Sequence, residues 1–556
     1  MMNYKRYRRN PVINLPDRQW PNKEIAKAPI WCSVDLRDGN QALIEPMVVE
    51  EKVEFFKLLV DLGFKEIEVG FPSASQIEYD FLRQLVDRKL IPDDVTIQVL
   101  VQCREHLLKR TFEALEGLPR AIVHIYNSVS ILQRDVVFNM SKEQIKNIAV
   151  EGTKLVKEYA ESFPGKITLE YSPESFSGTE VDYALEVCSA VIDTWNPTPD
   201  NKIIINLPST VEMNTPNVYA DQIEWMNRHF KNRDSIILSV HPHNDRGTGI
   251  AATELAILAG ADRVEGTLFG NGERTGNVDI LTIAYNLFSQ GIDPNLNISN
   301  INEIIEEYEL LTKMKVHERH PYAGKLVFTA FSGSHQDAIN KGMHAMKERN
   351  SQIWAVPYLP IDPSDIGRSY EPVVRINSQS GKGGVAFIME NYFGYKLPKG
   401  MHKEFADVIQ SLSEKQGEVA PDQIMDAFKT GYIDRKEPLH FRKCKFEDIM
   451  DSEDGCTHAV VHYTDHGVDK SFEATGNGPI DAVLKGLQEK LDIHIKILDY
   501  TEHALGGGAG AQAAAYIHML DMTTSKTTFG VGVSSNITRA SIRAIFSAMN
   551  RLGIKG

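Results

Sequence analysis

Two histidines with one residue between them, His241 and His243, follow directly after the apolar run of residues 236–240. Such a run is typical of a buried parallel strand, and alternate residues of a strand point to the same side. The two imidazoles can therefore aim at one point, an arrangement that suits a divalent metal ion. Two ordinary loop histidines are the simpler alternative, so the interpretation depends on the residues that accompany the pair.

Two further segments supply oxygen ligands. A Gly-rich loop at residues 270–277 ends in Asn277, whose amide oxygen can bind a metal, and Asp38, preceded by Arg37, offers a carboxylate. Two imidazoles, one carboxylate and one amide leave two positions of an octahedron open, which is typical of catalytic rather than structural metal sites. Asp35 is an alternative ligand, or a turn residue.

An open metal site of this kind suits a 2-oxo acid, whose keto and carboxylate oxygens can fill the two open positions. The metal would act as a Lewis acid on the keto carbon. Arg37 can neutralise the charge that develops on the keto oxygen when a carbanion attacks it, which is where preorganised charge helps most. The pattern therefore indicates carbon–carbon bond chemistry on a 2-oxo acid.

The elements that must position these residues alternate regularly from Ile30 onward. Short β-type runs are separated by helical patterns such as residues 49–60, 142–162 and 253–259. Eight strands alternating with helices over roughly 250 residues predict a (β/α)8 TIM barrel. A doubly wound sheet is the alternative, but no GxGxxG follows an early strand. The predicted strands are 30–36, 66–71, 96–101, 121–126, 166–171, 202–207, 235–240 and 263–269.

A barrel carries its site at the carboxyl ends of its strands, so polar residues should collect there. Polar residues are indeed found after or within the first, fourth, fifth, sixth, seventh and eighth predicted strands. By strand position, the substrate pocket should be lined by Leu100, His124, Ser172, Asn206 and Pro208. The absence of Arg and Lys from this set argues against a second substrate carboxylate, as in 2-oxoglutarate. The lining residues do not decide between pyruvate and a branched 2-oxo acid, because one methyl group changes the binding free energy in an apolar pocket by only about 1–3 kcal/mol.

The chain divides into four predicted parts. An N-terminal arm spans residues 1–29, the barrel 30–324, a small and mostly helical linker region 325–435, and a C-terminal α/β domain of two similar halves 436–556. Gly-rich turns, such as that near residue 508, let backbone N–H groups approach a ligand closely, which favours a small-molecule sensor. A dimerisation module is the alternative for this domain.

Composition excludes several classes of function. The net charge of −15 disfavours nucleic acid or an anionic membrane as the main partner. No apolar run approaches the roughly 20 residues that span a bilayer, and no secretory signal pattern opens the chain. The five cysteines form no CxxC pair, which indicates reduced thiols in a cytoplasmic protein.

Five motifs follow one another along the barrel: DLRDGNQA (35–42), YSPESFSGTE (171–180), NLPSTVEMNTPN (206–217), HPHNDRGTG (241–249) and GNGERTGN (270–277). Together they resemble the DRE-TIM metallolyase family. The likeness extends to SGSHQDAINKG (332–342) and GAGAQAAAY (508–516), so it covers nearly the whole chain. Many members read Asp-Arg-Glu where Arg37 is followed by Asp38 here; the shorter carboxylate keeps the ligand chemistry.

Within the family the chain looks like the longer, leucine-regulated condensing type. That likeness implies an acyltransferase that joins acetyl-CoA to 3-methyl-2-oxobutanoate and hydrolyses the thioester, the committed step towards leucine. It implies a divalent metal (Mg2+, Mn2+ or Zn2+) and K+ as an activator. The implied metal ligands are Asp38, His241, His243 and Asn277.

The resemblance also implies the remaining site residues. Arg37 and Thr210 would contact the keto acid, and Glu174 would lie near the acetyl group. His335 and Tyr370 would complete the site as acid–base residues from the linker of a partner subunit, in a homodimer. Leucine, as feedback inhibitor, would bind near Gly508, Ala511, Ala515 and Tyr516.

Three alternatives remain open at this stage. A citramalate or other chain-elongating synthase would share the chemistry but prefer another 2-oxo acid. A lyase would run the reverse carbon–carbon cleavage, as relatives do with hydroxymethylglutaryl thioesters, but lyases lack the linker and C-terminal domain. A non-enzymatic amino-acid-binding regulator would not need a competent residue at every expected ligand position.

Overall fold

The computed structural model describes residues 2–8, 10–330, 332–370, 382–416, 419–433, 435–449, 456–506 and 510–554. The chain divides into two compact units. The first comprises residues 1–328 and 359–370, and the second comprises residues 329–358 and 371–556. None of the helices in the described ranges is both long and apolar enough to cross a membrane.

The predicted barrel is confirmed, because eight parallel strands close in chain order in the first unit. The strands are β1 Ile30–Ser33, β2 Glu66–Gly70, β3 Thr96–Val101, β4 Arg120–Ser128, β5 Lys166–Glu174, β6 Ile203–Ser209, β7 Ile236–Pro242 and β8 Arg263–Gly266. The helices are α1 Val49–Asp61, α2 Gln76–Asp87, α3 Glu105–Leu115, α4 Lys142–Ser162, α5 Val181–Trp195, α6 Pro216–His229, α7 Gly249–Ala259 and α8 Ile280–Ser289, and α9 Ile301–Thr312 follows the barrel.

Local sequence signals explain where these helices begin. Helix α4 starts with a capping box, in which the Ser141 hydroxyl accepts a hydrogen bond from the Gln144 amide at 3.3 Å and the Gln144 side chain accepts one from the Ser141 amide at 2.9 Å. Asp279 caps α8 by accepting from the amides of Leu281 and Thr282. Each cap satisfies donors that the first helical turn leaves without partners.

The first predicted strand was too long, and the difference shapes the site. Strand β1 ends at Ser33, and Asp35–Gly39 form a π-helical turn in which the Gly39 amide donates to the Val34 carbonyl at 3.1 Å. The strand cannot continue because the buried Asp35 carboxylate accepts from the Ser33 hydroxyl and the Leu268 amide. Single π turns of this kind are frequent at functional sites.

The second unit begins with α10 Gly333–Arg349 and continues with α11 Lys382–Phe393, α12 Lys399–Gln416 and α13 Pro421–Tyr432. Two antiparallel three-stranded sheets follow, each completed by one helix, which confirms the two similar halves. The first half contains β9 Leu439–Ile449, β10 Cys456–Asp465, β11 Val468–Gly476 and α14 Pro479–Leu491. The second half contains β12 Ile495–Leu505, β13 Gln512–Asp521, β14 Lys526–Ser534 and α15 Ile537–Leu552.

The two sheets differ in how they are covered. On β13, Ala515 and Ile517 belong to the core shared with α14 and α15, whereas Tyr516 belongs to a second core shared with α11–α13. The second sheet is thus buried on both faces. On β10, Val461 is buried but Val460 and His462 on the opposite face are only half-buried. Alternation along each strand sends its residues to these opposite faces.

Candidate active site

A cavity of about 220 Å³ opens at the carboxyl ends of the barrel strands. Eleven of the predicted site residues line it: Arg37, Asp38, Leu100, His124, Ser172, Glu174, Asn206, Pro208, Thr210, His241 and His243. These residues come from six of the eight strands or the loops that follow them. Closure of the barrel therefore brings together residues that lie far apart in the chain.

Asp38, His241 and His243 converge on one point beside this cavity. Nε2 of His241 lies 3.3 Å from Oδ2 of Asp38, and Nε2 of His243 lies 3.8 Å from the same oxygen. All three side chains are buried, and each offers one potential ligand atom to a common position. One carboxylate and two imidazoles are a donor set that Zn2+, Mn2+ and related ions accept.

Unsatisfied polar atoms test whether this group fits a metal. Asp38 Oδ2 and Asn277 Oδ1 are buried and have no hydrogen-bond partner within the described ranges. Asn277 donates from Nδ2 to the Asn271 carbonyl at 2.9 Å, which leaves its oxygen available, and it pairs with His243 through a β-bridge. Because buried polar atoms are nearly always bonded, these residues fit a divalent ion.

Asp35 is excluded as the metal ligand of this site. Its Oδ2 accepts from the Ser33 hydroxyl at 2.8 Å, and its Oδ1 accepts from the Leu268 amide at 3.0 Å. Both oxygens therefore join the end of β1 to the segment after β8. Burial raises the pKa of Asp35 to about 7. The turn interpretation of this residue is the one that the contacts support.

The charges around the cluster favour an ionised Asp38. Arg37 lies 2.8 Å from Oδ1 of Asp38 and donates through Nε to Glu68 at 2.5 Å. Burial opposes ionisation, but Arg37 and the two histidines hold the pKa of Asp38 far below its usual range. With no metal bound, burial is outweighed at His241 by Asp38 and Glu265, which raise its pKa to about 9. Burial and His241 together lower the pKa of His243 to about 4.

A hydrogen-bonded layer lies beneath the cavity. His124 contacts Glu68 through Nδ1 at 2.9 Å and Ser172 through Nε2 at 2.8 Å. Asn206 donates to the Ser172 hydroxyl at 3.0 Å and to Glu265 at 3.1 Å. The predicted pocket residues are therefore held in place by one another and by buried carboxylates, which preorganises the pocket.

A second group of potential ligands, His124, Glu170 and Glu265, lies in this layer. A cation is already present, because Arg263 donates from Nη1 to Glu265 at 2.8 Å and places Nη2 3.4 Å from Glu170, whose pKa is raised by burial and by Glu265. A guanidinium at this position supplies the cation that a metal would otherwise provide. The group is therefore better explained as a buried ion-pair network than as a metal site.

Four lining residues were missed in the sequence analysis: Gln41, Tyr126, Glu273 and Arg274. Gln41 donates to Asp38 at 3.0 Å and to Glu273 at 3.3 Å, so it links two of the recognised motifs. Tyr126 lies two residues after His124 on β4 and therefore on the same face of the strand. That spacing was a usable signal, whereas the Gln41 contacts depend on the fold.

Glu174 and Thr210 also line the cavity. Glu174 accepts a hydrogen bond from the Ser128 hydroxyl at the end of β4. The Thr210 hydroxyl accepts from the Ser175 amide at 2.9 Å, and the Thr210 carbonyl accepts from Arg274 at 2.5 Å. Both residues reach the cavity, as predicted, while their roles toward substrate stay predictions.

The predicted residues outside the barrel do not line this cavity. His335 lies in α10 of the second unit, where its ring packs 4.1 Å from that of Tyr358. Tyr370 is the last described residue before the 371–381 gap. Their acid–base roles in a partner's site stay predictions.

The predicted leucine contacts are distributed differently. Gly508 lies outside the described residues, and Ala511 is half-buried before β13. Ala515 and Tyr516 point to opposite faces of the sheet, and the Tyr516 ring stacks on His503 at 5.7 Å. One bound leucine therefore could not contact both Ala515 and Tyr516 from the same face of the sheet. The assignment of these four residues stays a prediction.

Comparison with known proteins identifies the family of each part of the chain. The sequence profile of the HMGL-like family matches residues 28–307, which include the whole barrel. The profile of the alpha-isopropylmalate synthase post-catalytic domain matches residues 325–390, and that of the LeuA allosteric (dimerisation) domain matches residues 418–553. The barrel thus places the chain in the HMGL-like class, a metal-dependent family, and the buried cluster of Asp38, His241 and His243 is a possible metal site. The resemblance drawn from the five motifs is confirmed.

Curated relatives narrow the class further. A 2-isopropylmalate synthase from Clostridium acetobutylicum is 57% identical over 100% of both chains. Those from Rhizobium johnstonii and Helicobacter hepaticus are 55% and 53% identical, over at least 98% of each chain. The chain belongs to the 2-isopropylmalate synthase family, which is a family of acyltransferases.

Proposed function

We propose that this enzyme condenses acetyl-CoA with 3-methyl-2-oxobutanoate and hydrolyses the thioester to 2-isopropylmalate and CoA. The observation that carries the proposal is the buried cluster of Asp38, His241 and His243, which lines the cavity at the carboxyl ends of the barrel strands. Full-length identity to relatives named 2-isopropylmalate synthase supports the choice of substrates. The cluster supports a divalent metal as cofactor; Mg2+, Mn2+ and Zn2+ all suit its donors, and K+ is proposed as an activator.

Asp38, His241, His243 and Asn277 would hold the metal, which when bound would polarise the keto group of the 2-oxo acid. Arg37 is fixed by Asp38 and Glu68, so its guanidinium is available at the cavity without reorganisation. It would stabilise the negative charge that grows on the keto oxygen as the new carbon–carbon bond forms. Asp38, 2.8 Å from Arg37, stays ionised and available as a metal ligand.

Glu174 is proposed to lie near the acetyl methyl group, whose proton must be removed before condensation. Its contact with Ser128 holds the carboxylate at the cavity wall. Thr210 is proposed to contact the keto acid from the neighbouring strand. His335 and Tyr370 of a partner subunit would complete the acid–base chemistry, including the later hydrolysis of the thioester.

The cavity lining supports a branched, apolar substrate side chain. Leu100 and Pro208 contribute apolar surface, while His124, Ser172 and Asn206 are bound to one another or to buried carboxylates. Arg274 also reaches the lining, but its Nε donates to Asp245 at 2.7 Å. A second substrate carboxylate would compete with that ion pair, which argues against 2-oxoglutarate.

A homodimer with leucine as feedback inhibitor is proposed for the assembly. The match to a LeuA allosteric (dimerisation) domain supports both. The segment after β4 supports a partner near the site, because Leu132, Val136 and Val137 are 70%, 71% and 67% exposed. Clustered apolar exposure of this kind marks interaction surfaces. The five free cysteines support a reducing, cytoplasmic location.

The proposal is tested by the release of free CoA thiol from acetyl-CoA with 3-methyl-2-oxobutanoate, pyruvate or 2-oxoglutarate, each with and without leucine. We expect the branched acid to give the largest kcat/KM, by about 10-fold or more over pyruvate, since each methyl contributes about 1–3 kcal/mol. Leucine should suppress that rate.

The matched variant is His243→Ala, which should lower turnover to the level seen in chelator-treated enzyme. Preference for pyruvate would replace the proposed substrate. Full activity after rigorous removal of divalent ions would contradict the metal role.

A further inference from the structure

Glu265 on β8 contacts both the cluster of Asp38, His241 and His243 and the substrate pocket. Its Oε2 lies 2.8 Å from Nδ1 of His241 and accepts from Nδ2 of Asn206 at 3.1 Å. Its side chain is fully buried, and it lines no part of the cavity. Glu265 therefore lies one layer behind the residues that substrate and metal would touch.

The contact with Glu265 determines which nitrogen of His241 faces the cluster. With Nδ1 donating to the carboxylate, Nε2 is the nitrogen that faces Asp38 Oδ2, 3.3 Å away, and that is available to a metal. A histidine that binds a metal usually donates its other ring nitrogen to a carboxylate, which fixes the tautomer and the ring orientation.

His243 provides an internal comparison. Its Nδ1 has no hydrogen-bond partner among the described residues, although the ring is buried. Its ring lies 5.3 Å from that of His241. The chain thus supplies a carboxylate behind one of the two imidazoles of the cluster.

The Glu265 carboxylate is itself held rigidly. Its Oε1 accepts from Arg263 at 2.8 Å and from Gln98 at 3.0 Å. Gln98 in turn accepts from Arg263 at 2.6 Å, and Arg263 also donates to Ser239 at 2.9 Å. Both carboxylate oxygens therefore already accept hydrogen bonds, and the carboxylate cannot rotate without breaking several of these buried bonds.

We propose that Glu265 is a positioning residue that orients His241 for the metal and Asn206 for the keto acid through one shared carboxylate. The proposal rests on the proposed function, because it assigns a role toward the metal and the 2-oxo acid of that site. It predicts that loss of this carboxylate weakens metal binding and keto-acid binding together, without removing any group that touches either.

The test is Glu265→Gln, titrated with Mn2+ by calorimetry after all divalent ions have been removed from the full-length enzyme. We expect Mn2+ to bind about 10–100-fold more weakly than to the wild type. At saturating Mn2+, the KM for 3-methyl-2-oxobutanoate should rise more than the KM for acetyl-CoA.

Glu170→Gln is the matched control. Glu170 is equally buried in the same layer and lies 3.4 Å from Arg263. Burial and Glu265 raise its pKa well above the usual range, so glutamine is a close mimic of its neutral form. It contacts neither histidine of the cluster within hydrogen-bond distance, so Mn2+ affinity should stay within about twofold of the wild type.

Glu265→Asp is a second variant in case Glu265→Gln does not fold. It keeps a negative charge beside Arg263 but withdraws the carboxylate from His241. Thermal unfolding followed by circular dichroism establishes that each variant is folded. Wild-type Mn2+ affinity in a folded Glu265→Gln or Glu265→Asp protein would overturn the inference. Failure of the wild-type enzyme itself to bind Mn2+ would instead overturn the proposed metal site.

Discussion

The centre of the barrel and the cores of the C-terminal domain are equally buried but chemically opposite. Glu68, Glu170, Arg263 and Glu265 are all 0% exposed in the barrel centre. The two cores around the second sheet consist of aliphatic and aromatic side chains, which pack against both faces of that sheet. One region buries ion pairs, and the other buries apolar surface.

The barrel centre positions groups for chemistry, whereas the C-terminal cores stabilise the fold of their domain. Burying ions costs several kcal/mol per group unless geometry and hydrogen bonds compensate, and apolar residues of equal volume often stabilise as well or better. The barrel centre therefore tolerates an energetic disadvantage that serves the cavity above it. The C-terminal cores obtain their stability from the hydrophobic effect and from close packing.

The largest expected effect is in the barrel centre, with Arg263→Met. This change leaves the buried Glu265 carboxylate without its guanidinium partner, and we expect the barrel unit to lose about 3–5 kcal/mol of stability. Urea unfolding followed by fluorescence measures the loss. The control is Lys154→Met, which removes an exposed pair with Glu151 and should cost under about 1 kcal/mol. Equal effects would show that the central ion pairs are not required for stability.

A smaller effect is expected where α15 packs directly on β14. A Cβ added at Gly532 would lie 2.1 Å from the Ala540 carbonyl oxygen, so Gly532→Ala must push the helix away from the sheet. We expect a cost of about 3 kcal/mol, measured by thermal unfolding of the second unit. Gly478 has open space around its Cβ position, so Gly478→Ala should change stability by less than about 0.5 kcal/mol. Similar melting temperatures for the two variants would contradict the close approach.

The smallest effect compares the two sheets of the C-terminal domain. Val531 is 0% exposed on the face beneath α11–α13, whereas Val460 is half-buried on the outer face of the first sheet. Val531→Ala should cost about 1.5 kcal/mol from the lost methyl groups, and Val460→Ala less than about 0.5 kcal/mol. Denaturant midpoints at constant m-value measure both. An equal cost at Val460 would indicate that another surface covers the first sheet in the assembled enzyme.

Much of this protein was determined by local sequence patterns. Alternating apolar runs and helical periodicities predicted the closed barrel, and the two C-terminal halves were visible in the same way. The His241–His243 spacing and the polar strand ends predicted the cluster and, together with the family motifs, eleven of the lining residues. These signals are local, because side-chain alternation on a strand and the direction of a barrel strand follow from the backbone alone.

Other features were decided only by the tertiary structure. The choice of Asp38 over Asp35 depends on a π turn that Asp35 stabilises through Leu268, a residue at the far end of the barrel sequence. The hydrogen-bond partners of Glu265 follow from the pairing of β8 with β7 and from the position of Gln98 across the barrel. The double burial of the second sheet likewise depends on helices that precede it in the chain. Hydrogen-bond partners and buried faces are long-range properties, because they are set by which elements pack together and not by the residues next in sequence.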